Sequence, residues 1–476
     1  MLTPEEIQAI YDKGPDAVVE VIAALQNAVT TLGLRVKQLE DRIGKDSHNS
    51  SKPPSSDGLH KKPKSQRGTS DRKPGGQPGH PGRTLELAEK PDATVVHHPQ
   101  VCKDCGASLA EVAPTSTQRR QVVDLPPLKL IVTEHQAQTC SCPACGGVNA
   151  SSFPEEVAQP VQYGPGVKSL TTYLLNFQLL PYERVATLLD DLFGASLSEA
   201  TLFHATQQAA KTLAAVEEAI VAALKTAPIL HCDETGQRIG GKLHWLHVAS
   251  TKRLTYYKSH ARRGKVAMDA IGILGSATGR AIHDGWSAYR SYGCAHGLCN
   301  AHHLRELTAL FEQQQQEWAG QMKGLLVEIK NAVSQAQEQE QSRLDPLREG
   351  AFLERYHAQI QAGYQANPPP EATGKRGRVK QNDSRNLLSR LEQHETSVLA
   401  FMHDFSVPFD NNQAERDLRM MKVKQKISGG FRSEEGAKDF NRVRGYISTL
   451  RKQGQKVLSA LHDVFSGRPL MPDLTP

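Results

Sequence analysis

Between Asp16 and Ile43 the apolar residues fall at Val18, Ile22, Leu25, Val29, Leu32, Val36, Leu39 and Ile43. The steps alternate between four and three, which is a heptad seam. β-Branched Ile22, Val29, Val36 and Ile43 hold one seam position, and Leu25, Leu32 and Leu39 hold the other. That division favours a parallel two-stranded coiled coil, so residues 1–43 are predicted to self-associate as a homodimer or higher homo-oligomer. An amphipathic helix packed on its own domain would carry a wider stripe and would need an apolar neighbour. The next segment offers none: between Gly44 and Arg83 the one large apolar residue is Leu59. Such a stretch cannot bury enough surface to offset the entropy of ordering, and residues 44–94 are predicted to be a disordered linker.

Further along, the period changes twice. From Gly164 to Leu224 it is helical. Arg184 to Phe193, the turn Gly194-Ala-Ser196 and Leu197 to Ala210 read as helix, turn, helix, with Ser196 or Ser198 as the cap. This is either a groove-reading helix-turn-helix or an ordinary helical hairpin, and the apolar positions fit both. From Pro228 the period becomes that of strands. Ile229 to Asp233, His244 to Ala249 and Leu254 to Lys258 read as antiparallel neighbours. A helix from Gly264 to Leu274 follows, then a strand from Arg280 to Asp284, a strand from Gly297 to Cys299 and a helix from Ala301. That order is the order of an RNase H-like fold. Glu306 to Leu399 reads as a helical insertion, interrupted by Pro368-Pro-Pro370 and Lys375-Arg-Gly-Arg378.

Composition narrows the class. Hydrophobic residues make up 38% of the chain and charged residues 23%, normal for a water-soluble protein with some unstructured sequence. Met1 to Gly14 is polar and acidic, unlike a signal peptide. The most apolar run, Leu213 to Ile229, contains Glu217, Glu218 and Lys225, so no membrane span is expected. The expectation is an intracellular protein whose eight cysteines are reduced. Two of them open each of two knuckles, Cys102-Lys-Asp-Cys105-Gly and Cys142-Pro-Ala-Cys145-Gly. Thiolates at this spacing bind one tetrahedral zinc from two tight turns, and the glycine after each pair frees the backbone. Four such ligands close the site, so the zinc is expected to be structural. Cys140 is an alternative to Cys142, and a redox pair is the weaker reading. Arg120 to Val123 and Leu128 to Thr133 are expected to be short strands between the knuckles.

The net charge of +6 matters only where it clusters. One cluster is the linker, where Lys61, Lys62 and Lys64 are candidate phosphate contacts. The other lies between Arg416 and Lys456, with twelve Lys or Arg against Asp417, Glu434, Glu435 and Asp439. Its candidate DNA contacts are Arg416, Arg419, Lys422, Lys424, Lys426, Arg432, Arg442 and Arg444. Beside it stands Glu415, near the start of a helix capped by Asp410 or Asn411. Asp233 and Asp284 each end a strand, so three acids could converge. Phosphodiester chemistry needs such a set to hold two Mg²⁺ (or Mn²⁺) ions about 4 Å apart. Glu234 alternates away from Asp233 along the strand and should face away from the site.

Lys52-Pro-Pro-Ser-Ser-Asp57, Gly75-Gly-Gln-Pro-Gly-His80, the paired knuckles, His231-Cys-Asp-Glu-Thr235, Asp284-Gly-Trp286, Cys299-Asn-Ala-His302 and Asp410-Asn-Asn-Gln-Ala-Glu-Arg416 are jointly specific. Together they resemble the signatures of the transposases of the insertion-sequence family numbered 66, the TnpC type, over nearly the whole chain. The resemblance implies a DNA transposase that cleaves and joins element ends, with its three catalytic carboxylates on Asp233, Asp284 and Glu415. It also implies partners in the element's terminal repeats and target DNA, accessory proteins from the same element, and a bacterial cytoplasmic, nucleoid-associated setting. The competing readings are a non-catalytic zinc-containing DNA-binding protein and a nuclease that cuts without joining. The predicted fold is multidomain α+β: coiled coil 1–43, basic linker 44–94, zinc-binding domain 95–155, helical segment 156–226, RNase H-like catalytic core 227–304 and 401–465 with the helical insertion 305–400, and a tail 466–476. The insertion follows from the 131 positions between Asp284 and Glu415.

Overall fold

A computed structural model describes residues 3–46, 48–50, 84–370 and 381–475. Lys61, Lys62, Lys64, the motifs at 52–57 and 75–80, and Lys375 to Arg378 lie outside them. The chain begins with α1 (Pro4–Tyr11), closed by a capping box between Thr3 and Glu6, and α2 (Pro15–Ile43). α2 is continuous over the heptad seam. Ile22, Leu25, Val29, Leu32, Val36, Leu39 and Ile43 are all exposed along it.

Residues 95–155 hold little regular structure. β1 (Thr139–Ser141) and β2 (Val148–Ala150) form a short antiparallel hairpin around the second knuckle. The strands expected over Arg120–Val123 and Leu128–Thr133 do not form. Val122, Val123, Ile131 and Val132 are exposed there, so the apolar residues find neither a partner strand nor a core.

Next come α3 (Pro165–Thr172), a π-helical turn over Tyr173–Phe177, α4 (Tyr182–Phe193), α5 (Glu199–Thr212) and α6 (Ala214–Lys225). Gly194 ends α4 in the left-handed region, and Ser198 rather than Ser196 caps α5 by accepting the Thr201 N–H at 3.2 Å. α5 buries Leu202, Ala205, Thr206, Ala209 and Ala210. Its packing against α3 and α15 (Glu434–Lys452) fits the helical-hairpin alternative better than a helix standing clear to enter a groove.

One sheet organises the rest. Its strands are β3 (Ile229–Ile239), β4 (Lys242–Ser250), β5 (Thr255–His260), β6 (Arg280–His283) and β7 (Ala295–Leu298), in the order β5-β4-β3-β6-β7. The first three are antiparallel, and β3, β6 and β7 are parallel. Gly240 and Gly241, both with positive φ, make the two-residue turn that lets β3 and β4 pair without splaying. α7 (Lys265–Ile271) lies between β5 and β6.

Alternation along the strands sends side chains to two covered faces. Leu230, Cys232, Ala249 and Ala281 pack with α6, α15 and α16 (Val457–Phe465). On the other face Leu246, Val248 and Tyr257 meet Ala414, Leu418 and Met421 of α14 (Asn412–Ile427). Ile282 and Leu298 join the core of the helical insertion. That insertion comprises α8 (Asn300–Gln314), α9 (Glu317–Glu338), α10 (Pro346–Ala366), α11 (Asp383–Gln393), α12 (Glu395–Val398) and α13 (Ala400–His403). Among the described residues no helix is long and apolar enough to cross a membrane.

β6 enters the sheet by a close backbone approach. A Cβ on Gly279 would lie 2.1 Å from the Ala227 carbonyl oxygen and 2.6 Å from that of Pro228. Backbone cannot yield as a side-chain tip does. Gly279→Ala is therefore expected to destabilise the protein by about 1–3 kcal/mol, as overpacking does. Gly275→Ala, which meets nothing within 4 Å, is the control in denaturant titrations. Equal midpoints for the two variants would contradict the packing described.

Candidate active site

The parallel pairing of β3 and β6 sets the first two acids side by side. Ile229 is in register with Arg280, Leu230 with Ala281 and His231 with Ile282. The same offset, continued two residues, puts Asp233 beside Asp284 on backbones ~4.8 Å apart. Asp284 follows the last residue of β6, and its Oδ1 accepts the Trp286 N–H at 2.9 Å across Gly285, whose φ is 88°. Asp233 is held well above the ordinary carboxylate range. Burial is the main cause, and the negative charges of Glu234, Asp284 and Glu415 add to it.

Glu415 arrives from the first turn of α14. The helix is docked by a residue the sequence patterns did not single out for this role, Asn411. Its Oδ1 accepts from Nδ1 of His231 at 2.8 Å, its Nδ2 donates to the Cys232 carbonyl at 2.8 Å, and its backbone N–H donates to Sγ of Cys299 at 3.2 Å. Nearby, the Asn300 N–H donates to the Phe409 carbonyl at 3.0 Å. Asn411 thus uses its amide for bridging, and Asp410 serves the helix start by accepting the Asn412 N–H at 3.1 Å. Burial pushes the Cys299 thiol up to about 12, so it stays protonated.

The three carboxylates are within electrostatic reach of one another but do not touch. At ligand spacing, with atoms within 4.8 Å, the group formed among the described residues is Cys299, His302 and Glu415. Oε1 of Glu415 is buried with no hydrogen-bond partner among the described residues. An orphaned buried carboxylate oxygen beside two further carboxylates fits a bound cation.

Glu234 does face away from Asp233, onto the opposite side of the sheet, but it is not idle. Its side chain is fully buried, accepting from Nε of Arg263 at 2.7 Å and from the Tyr289 hydroxyl. Burial raises its carboxyl, and those two donors pull it back down. Arg263 lies over the rings of Trp286 and Trp245, with its guanidinium carbon 4.2 and 4.9 Å from their centroids.

Of the basic residues in the last part of the chain, Arg416, Arg419, Lys422, Lys426 and Arg432 are exposed. Three others are corrections to the charge reading. Lys424 is buried over Phe431 and Phe440, which lowers it to about 8. Arg442 pairs with Glu217 at 2.8 Å and donates to the Ala210 carbonyl. Arg444 is half-buried and donates to the carbonyls of Asn176 and Phe177. These cations are used inside the fold.

The two knuckles have matching backbones. Cys102 N–H donates to Ala107 and Gly106 N–H to Cys102, each across the turn; Cys142, Gly147 and Gly146 repeat the pattern. Gly106 and Gly146 have φ of 73° and 69°, the freedom their position requires. Backbone N–H groups of Cys105 and Asp104 lower the Cys102 thiol, and those of Ala144 and Cys145 lower Cys142. Cys142 therefore occupies the position equivalent to Cys102, while Cys140 sits in β1. The four sulfurs are not gathered to one point among the described residues.

A mixed α/β domain with one acid inside the central strand β3 and another just past the neighbouring β6, preceded by paired cysteine knuckles, is the build of a zinc-finger transposase. The chain belongs to the Transposase IS66 family, whose profile matches residues 160–439, more than half of it. The zinc-finger binding domain of transposase IS66 matches residues 99–146, and a Family of unknown function (DUF6444) matches residues 5–86. No curated protein matches the chain.

Replacing Asn411 with Ala strands the His231 ring N–H and the Cys232 carbonyl in a buried position. Each group left unpaired should cost about 1–3 kcal/mol, measurable as a lower denaturant midpoint. An unchanged midpoint would show that Asn411 does not dock α14.

Proposed function

We propose that the protein is a DNA transposase of the DDE type, using Asp233, Asp284 and Glu415 to cleave and join DNA at the ends of its own element. The observation that carries this reading is that Asp233 on the central strand lies within electrostatic reach of Asp284, just past β6, and of Glu415 on α14, acids distant in sequence. The strand order, with three antiparallel strands followed by two parallel ones, supports an RNase H-like core of residues 227–304 and 401–465, and residues 305–400 are its helical insertion. Bound Mg²⁺ or Mn²⁺ ions would activate the attacking oxygen and stabilise the leaving one.

The chain's own residues have separable tasks. Asp233, Asp284 and Glu415 hold the cations. Burial, with the charges of Glu234, Asp284 and Glu415, disfavours the ionised form of Asp233, a cost that a bound cation would offset. Arg416, Arg419, Lys422, Lys426 and Arg432 are the surface on which DNA phosphates would be held. Cys102, Cys105, Cys142 and Cys145 hold a structural zinc, a closed set with no position left for water. The exposed seam of α2 pairs with a second copy as a parallel coiled coil, and a dimer would present two sites to two DNA ends.

Asp233→Asn, Asp284→Asn and Glu415→Gln are expected to abolish Mg²⁺-dependent nicking and strand transfer on labelled element ends. Each should still bind those ends without metal at least as well as the parent, since an acid that repels phosphate has been removed. Asp410→Asn should keep activity, as the Asn oxygen still caps the helix. Near-parental cutting by Glu415→Gln would sink the triad assignment. For the coil, Leu25→Asp with Leu32→Asp should lower the sedimentation mass of the full chain. A parent that already runs as a monomer at tens of micromolar, roughly where such a coil should associate, would refute the pairing.

A further inference from the structure

His302 was not among the residues to which the triad chemistry gave a role, yet it stands inside the site. It lies in the first turn of α8, where its backbone N–H reaches the Cys299 carbonyl at 3.1 Å. The contacts of Asn300 with Phe409 and of Asn411 with Cys299 set this turn against the start of α14. As a result a ring nitrogen of His302, a carboxylate oxygen of Glu415 and Sγ of Cys299 all lie within 4.8 Å of one another. Cys299 lines this group rather than completing it, because its sulfur already accepts the Asn411 N–H and it is fully buried.

His302 and Glu415 each carry a buried polar atom that is unaccounted for. Nδ1 of His302 and Oε1 of Glu415 are both buried, and neither has a hydrogen-bond partner among the described residues. Buried polar atoms are nearly always paired, and an orphan on each of two residues that stand at ligand spacing calls for a shared third partner. Burial disfavours a charged His302 ring, and the nearby charges of Glu415, Asp284 and Glu306 act against that while Arg305 adds to it. A divalent cation is a partner that satisfies both an imidazole nitrogen and a carboxylate oxygen.

We propose that His302 is a fourth protein ligand of the site, giving an imidazole nitrogen to the cation held by Glu415. This rests on the carboxylate assignment above and adds a preference to it. Carboxylates and water suit Mg²⁺, whereas an imidazole nitrogen raises affinity for transition ions, so this position should favour Mn²⁺ over Mg²⁺.

The test uses the full-length, zinc-loaded protein with Mn²⁺ as probe and no DNA. Pulsed electron paramagnetic resonance of the bound Mn²⁺ should show nitrogen coupling in the parent. His302→Gln should lose that coupling and bind Mn²⁺ about tenfold or more weakly, with a smaller change for Mg²⁺. Metal-free DNA binding and the melting temperature of His302→Gln report whether it is folded, and the parent spectrum is decisive even if it is not. Bound Mn²⁺ without nitrogen coupling in the parent would overturn the proposal. So would a folded His302→Gln that keeps the parent's Mn²⁺ affinity and its Mn²⁺-to-Mg²⁺ ratio. If Glu415→Gln and Asp284→Asn lose Mn²⁺ in those cases, the triad stands and only the role of His302 fails. Parental Mn²⁺ binding by both carboxylate variants would remove the triad and this inference together.

Discussion

The arrangement of this site depends on one buried amide. Asn411 ties together three stretches of chain: its side chain reaches His231, 180 positions away, and Cys232, while its backbone N–H reaches Cys299, 112 positions away. Every one of these groups is buried, so a misplaced α14 would leave donors and acceptors facing nothing. That cost, rather than the modest net value of each bond, selects one position for the helix. Glu415 is carried one turn beyond Asn411, and its distance to the strand ends is fixed with it.

Gathering acids in this way runs against their own electrostatics. Asp233 responds by holding its proton more tightly, because burial and three negative neighbours all disfavour the ionised form. The surrounding basic stretch offsets less of this than its count of Lys and Arg implies. Lys424, Arg442 and Arg444 are spent on internal packing and carbonyl contacts, and Lys452 pairs with Asp417 at 2.8 Å. The exposed residues Arg416, Arg419, Lys422, Lys426, Arg432, Lys438, Arg451 and Lys456 are what remains to face a polyanion.

Adjacent residues of β3 show how the sheet separates similar side chains. Asp233 faces the side covered by α14, beside Asp284. Glu234 faces the other and is neutralised by Arg263 and Tyr289. Arg263 in turn is stacked on Trp286, whose N–H holds Asp284. The second carboxylate is thus braced from behind by a half-buried ion pair on the opposite face. A substitution at Glu234 would act through this brace and not through a direct place in the site.

Patterns carried by near neighbours were legible in the chain alone. The continuous helix under the heptad period, the two knuckles with their glycines, the strand alternation from Pro228 and the acid closing β6 follow from local backbone geometry and reappear in the structure, whereas Asp233, expected to end its strand, lies inside β3 because pairing with β4 carries that strand on to Ile239. The family resemblance drew on the same local motifs. The short strands expected near residues 120–133 failed because a strand needs a partner, and local sequence does not reveal whether one is in reach. In the same way, tertiary structure alone decided which cations are free, that Glu234 is paired, that Asn411 bridges instead of capping, and that His302 meets Glu415. These outcomes depend on contacts between separate elements, some more than a hundred positions apart, and on the cost of burying polar atoms, and neither is written in any single stretch of sequence.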